Sequence, residues 1–446
     1  MANMTECDVL VAGGGTAGVF AALAAARNGA KTVLVESKGY LGGIAVEGGT
    51  ALHSFYNLWK AFPGVEKKQL VHGMPEEFIE RLMAMGGCSG HAETMVGYDY
   101  DSVCTAIDTE IYKLAAFEVL EEAGVDVWLN SWLTGARAEG GRIESASTHG
   151  RSGAEEIRAK QYIDTTGYGD LAGAAGASYT DPNDYAVANS MGVGGVDVEA
   201  YYQYLKKHDA VYQYSLGVRD GEDGKIVRLD GIGSKLPEDF VMDARSNGMA
   251  LVITTTHDGY FMFVKLNVKL EGSPLNRADV TRTELELRRR QYRAVEIIRK
   301  HIPGAEKAFI ARTSPSLCIR RGRCIECDYD ISPRDVLDGI HFDDDVATYG
   351  FHDFAPRLKI KNGGSYGIPY RALRPKAMDN LLVGGMMITS DHEAHMSTRN
   401  TVSCMIQGQA AGTAAALCAD KGCTTRELDY GDLRKALIAD NVYLEN

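Results

Sequence analysis

The sequence predicts an α/β protein in which a parallel sheet wound with helices, and joined to an antiparallel β-meander, is interrupted by an inserted α+β region. Three observations predict it. Near the start, an apolar strand, a glycine turn, an alanine-rich helix and a second strand follow one another within about thirty residues. Short strands with turns between them fill residues 125–163, and no helical pattern separates the later ones. Close to the other end the strand, glycine-pair and alanine-rich-helix grammar returns.

Taken in order, residues 7–12 are an apolar, β-branched run of the kind buried in a parallel sheet. It passes directly into Gly13-Gly-Gly-Thr-Ala-Gly18. Val19, Phe20, Leu23 and Ala24 then recur at helical spacing, and Gly29 suits the position just past the helix end. Residues 31–36 form a second strand that ends in an acid, Glu36. Residues 101–122 read as a helix with Ile107, Ile111, Leu114 and Phe117 on one face. Strands follow at 125–129, 142–146 and 157–163, as a meander. The middle is irregular apart from a helix over 280–301, whose Glu and Arg read as a solvated face. Residues 380–383 are a buried strand, Gly384-Gly385 a turn, and 401–420 a helix. No internal repeat is visible. The simplest layout is a nucleotide-binding domain built from residues 1–55, 100–180 and 365–446, with 56–99 and 181–364 forming a substrate or cap region.

Composition narrows the function. Of 446 residues, 45% are apolar and 24% charged, which excludes a disordered or fibrous chain. A net charge of -13 disfavours nucleic acid and anionic membrane surfaces as partners. No apolar run approaches the ~20 residues of a membrane span. Strand-like sequence from Asp8 leaves no room for a signal peptide. The 9 cysteines do not form a secreted disulfide framework in a chain this long. The expectation is a cytoplasmic protein with reduced thiols; a homo-oligomer stays open.

Gly13, Gly15 and Gly18 fit G-x-G-x-x-G. The first allows the tight turn, the second lets backbone approach a pyrophosphate, and the third lets helix and strand pack. The helix end then offers free N–H groups to phosphate. Glu36, some twenty residues on, suits ribose hydroxyls. Gly192-Val-Gly194-Gly195 is a chance match, because no helix, strand and acid follow it. The turn alone does not separate NAD from FAD. Three features favour FAD and a Rossmann-like FAD-binding domain. Gly42-Gly43 follows the acid at once, Tyr162-Ile-Asp164-Thr-Thr-Gly167 follows the meander, and the Gly384-Gly385 turn precedes a small-residue helix whose positive end suits a reduced flavin. The expected cofactor residues are Gly13, Gly15, Thr16, Ala17, Gly18, Glu36, Ser37, Gly42, Gly43, Gly167, Asp170, Gly385, Thr401 and Val402.

These motifs extend to a family resemblance. Leu41-Gly-Gly43, residues 71–82, Asp164-Thr-Thr-Gly-Tyr-Gly-Asp-Leu-Ala172, Tyr366-Gly-Ile-Pro-Tyr-Arg-Ala-Leu373, Asp379-Asn-Leu-Leu-Val-Gly-Gly385, His392-Glu-Ala-His395 and Gly408-Gln-Ala-Ala-Gly412 carry it. The chain resembles the FAD-dependent oxidoreductases allied to the fumarate reductase and succinate dehydrogenase flavoproteins, with the glutathione-reductase-like FAD fold. The resemblance implies FAD on the glycine turn, Glu36, Gly42-Gly43 and the C-terminal unit, under a substrate cap. Relatives carry a Gly-x-Arg-(acid)-x-Arg-Arg pattern that Arg320 and Arg323 match, which implies a carboxylate clamp or proton delivery; a structural ion pair is the alternative. Arg321 replaces the acid of that pattern, and Cys318, Cys324 and Cys327 depart from it. Those thiols are buried or accessory, a redox pair, or part of a cluster.

His392 and His395 fall beside the ring if that fold is right, and imidazole suits acid–base work. Structural bonding and a metal site are the alternatives. The expectation is no metal. Tyr168 stands beside Asp170, and His53 and Tyr56 are further pocket candidates. The function expected is an FAD-dependent oxidoreductase passing a hydride between flavin N5 and a small organic substrate, by C=C reduction or by C–H or C–OH dehydrogenation. The alternatives are an FAD-holding electron-transfer subunit without its own substrate, and a plain NAD-binding dehydrogenase. Electrons come from diffusible NADH or NADPH, a partner protein or oxygen.

Overall fold

A computed structural model describes residues 3–49, 51–61, 64–95, 103–182, 184, 186–354, 357–389 and 391–445. Asp101, where the sequence begins a helix, and Ser390, beside the histidine motif, lie outside the described residues.

Strand Asn3–Ala12 sits at the centre of the first sheet and pairs in parallel with Thr32–Val35 on one side and Gly153–Asp164 on the other. Thr32–Val35 passes the sheet on to Asp126–Trp128, also in parallel. Strand Gly153–Asp164 does two jobs on its far edge. Its last residues carry Leu381–Val383 in parallel, and its first residues carry Arg142–Gly150 antiparallel. Trp132–Glu139 completes the meander. Thr32–Val35 and Leu381–Val383 are buried throughout, as expected of strands covered on both faces.

Two sequence expectations change here. Residues 126–128 are the parallel edge and not part of the meander, whose outer strand is Trp132–Glu139. That strand is half solvated and carries Gly135, Arg137 and Glu139, so it shows no apolar run. The helix expected from residue 101 begins at its N-cap Asp108, whose carboxylate accepts from the N–H groups of Glu110 and Ile111. Residues Val103–Ala106 before it are a strand. Its buried face is Tyr112, Ala115, Ala116, Val119 and Leu120, while Leu114 is 52% exposed. The alanines are small enough to let this helix lie against Thr16–Arg27.

The second sheet has, among the described residues, nine strands in the order Phe309–Thr313, Ala186–Gly194, Tyr260–Lys269, Met249–Thr254, Glu222–Gly231, Val211–Arg219, Ala92–Met95, Val103–Ala106 and Ala51–His53. It therefore draws strands from both sides of the first inserted stretch. Helix Arg277–His301 covers it through Leu287, Ala294, Val295 and Ile298, with its charges outward as expected. Residues such as Val346, Tyr349, Phe351 and Ile360 join the core of the first sheet.

Helix Thr401–Lys421 is buried over almost its whole length against Thr16–Arg27. A Cβ on Gly408 would lie 2.1 Å from Ala17 O, and one on Gly412 2.1 Å from Ala21 O. The missing side chains set how closely the two helices approach. Their amino-terminal ends consequently come to the same place. Among the described residues no helix is long and apolar enough to cross a membrane.

Candidate functional site

The three glycines of the first turn are glycines for different reasons. Gly13 has φ +95, and a Cβ there would lie 2.7 Å from Thr165 O. A Cβ on Gly18 would lie 1.8 Å from Gly13 O. At Gly15 the nearest protein atoms would be 3.9 Å away. The fold itself therefore requires the outer two. The space above Gly15 opens instead into a cavity of about 300 Å³.

Two helix ends reach that cavity. Thr16–Arg27 starts after Gly15 and Thr401–Lys421 after Asn400; neither has a side-chain cap or an acid in its first turn. Thr16, Ala17, Thr401 and Cys404 line the wall. Unsatisfied N–H groups and about half a positive charge at each end favour anionic oxygen there.

Glu36 closes one end of the wall. Its Oε2 accepts from Gly14 N–H at 2.8 Å, and its Oε1 from Ser37 Oγ at 3.0 Å and Lys38 N–H at 2.8 Å. Those bonds fill three of a carboxylate's roughly four acceptor positions. At the strand end, Asp164 accepts from Thr166 N–H and Oγ1 and from Ala172 N–H, and so shapes the turn that brings Thr165, Thr166, Gly167 and Tyr168 to the wall. Burial pushes the Asp164 carboxyl up to about 6.

Of the expected cofactor residues, Gly13, Gly15, Thr16, Ala17, Glu36, Ser37, Gly43, Gly167, Asp170, Gly385 and Thr401 line the cavity. Gly18, Gly42 and Val402 stand behind it. Gly42 has φ +106, and its N–H donates to Gly14 O at 2.9 Å.

The four expected catalytic residues are not on this wall. His395 is fully buried, with its Nε2 2.8 Å from Met386 O. Burial, with the positive charges of Arg399 and Arg321 nearby, holds it well below the usual imidazole range, so the ring is neutral and Nε2–H donates. His392 is half-exposed, with Nδ1 2.9 Å from Asp184 Oδ2, which also takes Arg321 at 2.7 Å. Arg323 donates to Tyr168 O and Asp170 Oδ1, each at 2.9 Å, and lies over the Tyr179 ring. Arg320 lies near the Cys318 thiol, whose pKa burial raises and the arginine's charge partly lowers. Cys318, Cys324 and Cys327 are buried and free. His53 stacks on Phe351 and Tyr56 bridges to Gln69, both away from the wall. Gly192–Gly194 is the end of a strand in the second sheet, as a chance match should be. Among the described residues no set of three His, Cys, Asp or Glu side chains converges as a metal site.

Sequence reasoning missed a second network. Glu47, 3% exposed, accepts from Lys38 Nζ, from Tyr40 at 2.7 Å and from Ser316 at 3.1 Å. Its backbone oxygen takes Ser190 Oγ at 3.0 Å. This carboxylate ties the short helix Ile44–Glu47 to the inserted region, whose Val280, Glu284, Ser316, Leu317 and Ile319 complete the cavity.

Beside that seam lies a group of cations. Arg399 lines the cavity and pairs with Asp353. Lys265 stands opposite Ser190 in the strand register, so it shares the sheet face from which Ser190 bonds the helix Ile44–Glu47. Among the described residues neither Lys265 nor Arg320 has a carboxylate partner. Burial, then Arg320 and Arg399 nearby, pull Lys265 down to about 8.

The chain is similar to several known proteins. A curated relative, the digeranylgeranylglycerophospholipid reductase of Picrophilus torridus, is 31% identical over 169 residues; the match spans 36% of this chain and only 39% of that protein. Among solved structures, a geranylgeranyl bacteriochlorophyll reductase-like protein from Thermoplasma acidophilum superposes with TM-score 0.48 at 16% identity, covering 98% of this chain and 84% of that one. GidA of Aquifex aeolicus gives TM-score 0.49 at 16% identity, covering 94% of this chain and 65% of that one. The family model described as FAD dependent oxidoreductase matches residues 8–437. A chain matched over nearly its whole length, with a glycine turn, an acid and two bare helix ends around one cavity, is an oxidoreductase enzyme and belongs to the FAD dependent oxidoreductase family.

Proposed function

We propose that FAD lies along this cavity and exchanges hydride with a small organic substrate that carries an anionic group. The observation that carries the reading is the meeting of two uncapped helix N-termini, the open space above Gly15 and Glu36 in one cavity. When bound, FAD supplies hydride donation or acceptance at its ring. The Gly13–Ala17 amides hold its diphosphate, Glu36 takes ribose hydroxyls, and the Thr401 end of the second helix favours negative charge on the ring. Reduction of an activated C=C is the favoured direction, because the curated relative named above is a reductase.

The substrate's charge is inferred from Lys265 and Arg320, which stand beside Arg399 and have no carboxylate partner among the described residues. Partly buried cations without carboxylate partners are costly, and an incoming anion offsets that cost. Lys265 also holds its proton only weakly, so it can give one up near neutrality.

Reduction by NADH or NADPH without oxygen, then reoxidation with enoates, ketones and alcohols, each beside an uncharged amide analogue, tests this. A bound FAD reoxidised by anionic enoates and not by their amides is expected. A protein without flavin, or one reoxidised only by an electron-transfer protein, sinks the proposal.

A further inference from the structure

A buried thiol and a partly exposed one meet where helix Thr401–Lys421 ends. Gly422 follows it in the left-handed conformation, φ 66 and ψ 30. Cys423 N–H then donates back to Cys418 O at 3.1 Å. This closure brings the side chain three positions before the last helical residue against that of the second residue beyond it, a contact normally made by two apolar groups. Here both are cysteines, both are free, and Cys423 packs against the core cluster that holds Cys418.

We propose that Cys418 and Cys423 are an oxidation site that closes to a disulfide across the end of this helix. A disulfide needs Cα atoms roughly 4.4–6.8 Å apart. A bond between the backbone N–H of one residue and the C=O of the other holds them in that range. The flanking chain is already pinned: Gln161 Nε2 donates to Cys423 O at 3.0 Å, and Thr425 N–H donates to Asp379 O at 2.8 Å. Closure needs side-chain rotation and no backbone movement.

The order of events follows from exposure. Burial pushes the Cys418 thiol far up, so it stays protonated, with Sγ 3.6 Å from Thr424 O. Cys423 has an edge in solvent and reacts first. With a hydroperoxide as oxidant, the Cys423 sulfur takes one peroxide oxygen as sulfenic acid and an alcohol or water leaves. Cys418 sulfur then attacks that sulfur, its proton departs with the hydroxyl as water, and the S–S bond forms. Two thiols and one hydroperoxide give one disulfide, one alcohol (water, from hydrogen peroxide) and one water.

The test treats the FAD-loaded protein with hydrogen peroxide, alkylates with iodoacetamide and digests with trypsin. Cleavage after Lys421 separates the two cysteines, so only a disulfide can keep their peptides joined. The expected result is a joined pair, lighter by two hydrogens, released by dithiothreitol. Cys418→Ser is expected to leave Cys423 as a sulfenic acid trapped by dimedone. Wild-type protein in which both thiols still alkylate, in which Cys423 goes on to sulfinic acid unjoined, or in which the bridge falls on another pair overturns the proposal. The wild-type masses decide the matter even if the variant does not fold.

Discussion

Gly15 and Gly18 stand three positions apart in one turn, yet a methyl group would act differently at each. At Gly18 it would meet Gly13 O at 1.8 Å, so Gly18→Ala is expected to lower the melting midpoint sharply. At Gly15 it meets nothing within 3.9 Å, so Gly15→Ala is expected to fold normally and lose most bound flavin. Flavin content and melting curves of the purified variants check both, and stoichiometric flavin in Gly15→Ala would place the diphosphate elsewhere. His395 acts through Met386, its hydrogen-bond acceptor beside Gly385. His395→Ala is expected to weaken flavin binding by about 1–3 kcal/mol, with the pH profile of turnover unchanged. Lys265 gives the opposite signature. Its charged form persists below about 8, so substrate KM should rise as pH climbs through that value, while Lys265→Met shows a high KM throughout. The cradle residues were legible because turn, helix and acid lie close in sequence. Lys265 and Glu47 were not, because groups that define them, such as Ser190 and Ser316, arrive from strands and loops far away in sequence.

At the scale of elements, the tightest joint is the crossing of the two alanine-rich helices. A Gly412→Ala change gains about 1 kcal/mol of helix propensity. It also drives a methyl to 2.1 Å from Ala21 O, which is backbone and cannot swing aside. Overpacking of this kind costs about 1–3 kcal/mol, and with rigid backbone as the obstacle the upper end applies, so the variant should be less stable in a denaturant titration. An unchanged midpoint would mean that the helices part easily. Both helices were readable from composition and spacing. The helix Thr109–Glu122 was misread as starting at residue 101, because strand Val103–Ala106 is as apolar as a helix turn and only Asp108 marks the true start. Trp132–Glu139 escaped notice because polar, solvated strands lack the signal that apolar runs provide.

Across the whole molecule, His257 ties the second sheet to the N-cap of helix Thr109–Glu122. Its Nε2 meets Asp108 at 2.7 Å and its Nδ1 meets Asp220 at 2.8 Å. The bond to Asp108, then that to Asp220, outweigh burial and raise the imidazole to about 9. A raised histidine lends stability that is complete below its ordinary 6.5 and disappears as pH passes about 9. The melting-point gap between wild type and His257→Leu should therefore close over that interval; a gap independent of pH would refute the linkage. The divided layout was inferred from where the strand grammar stops and resumes, whereas the passage of 51–53 and 103–106 into the second sheet depends on pairings no local pattern announces. Strand Gly153–Asp164 has a consequence for synthesis on the ribosome. It receives Leu381–Val383 as a neighbour, and the cavity is walled as late as Cys404. A nascent chain halted before that point lacks part of the cavity wall, so under the proposed reading flavin is expected to be retained only once residue 404 has been made.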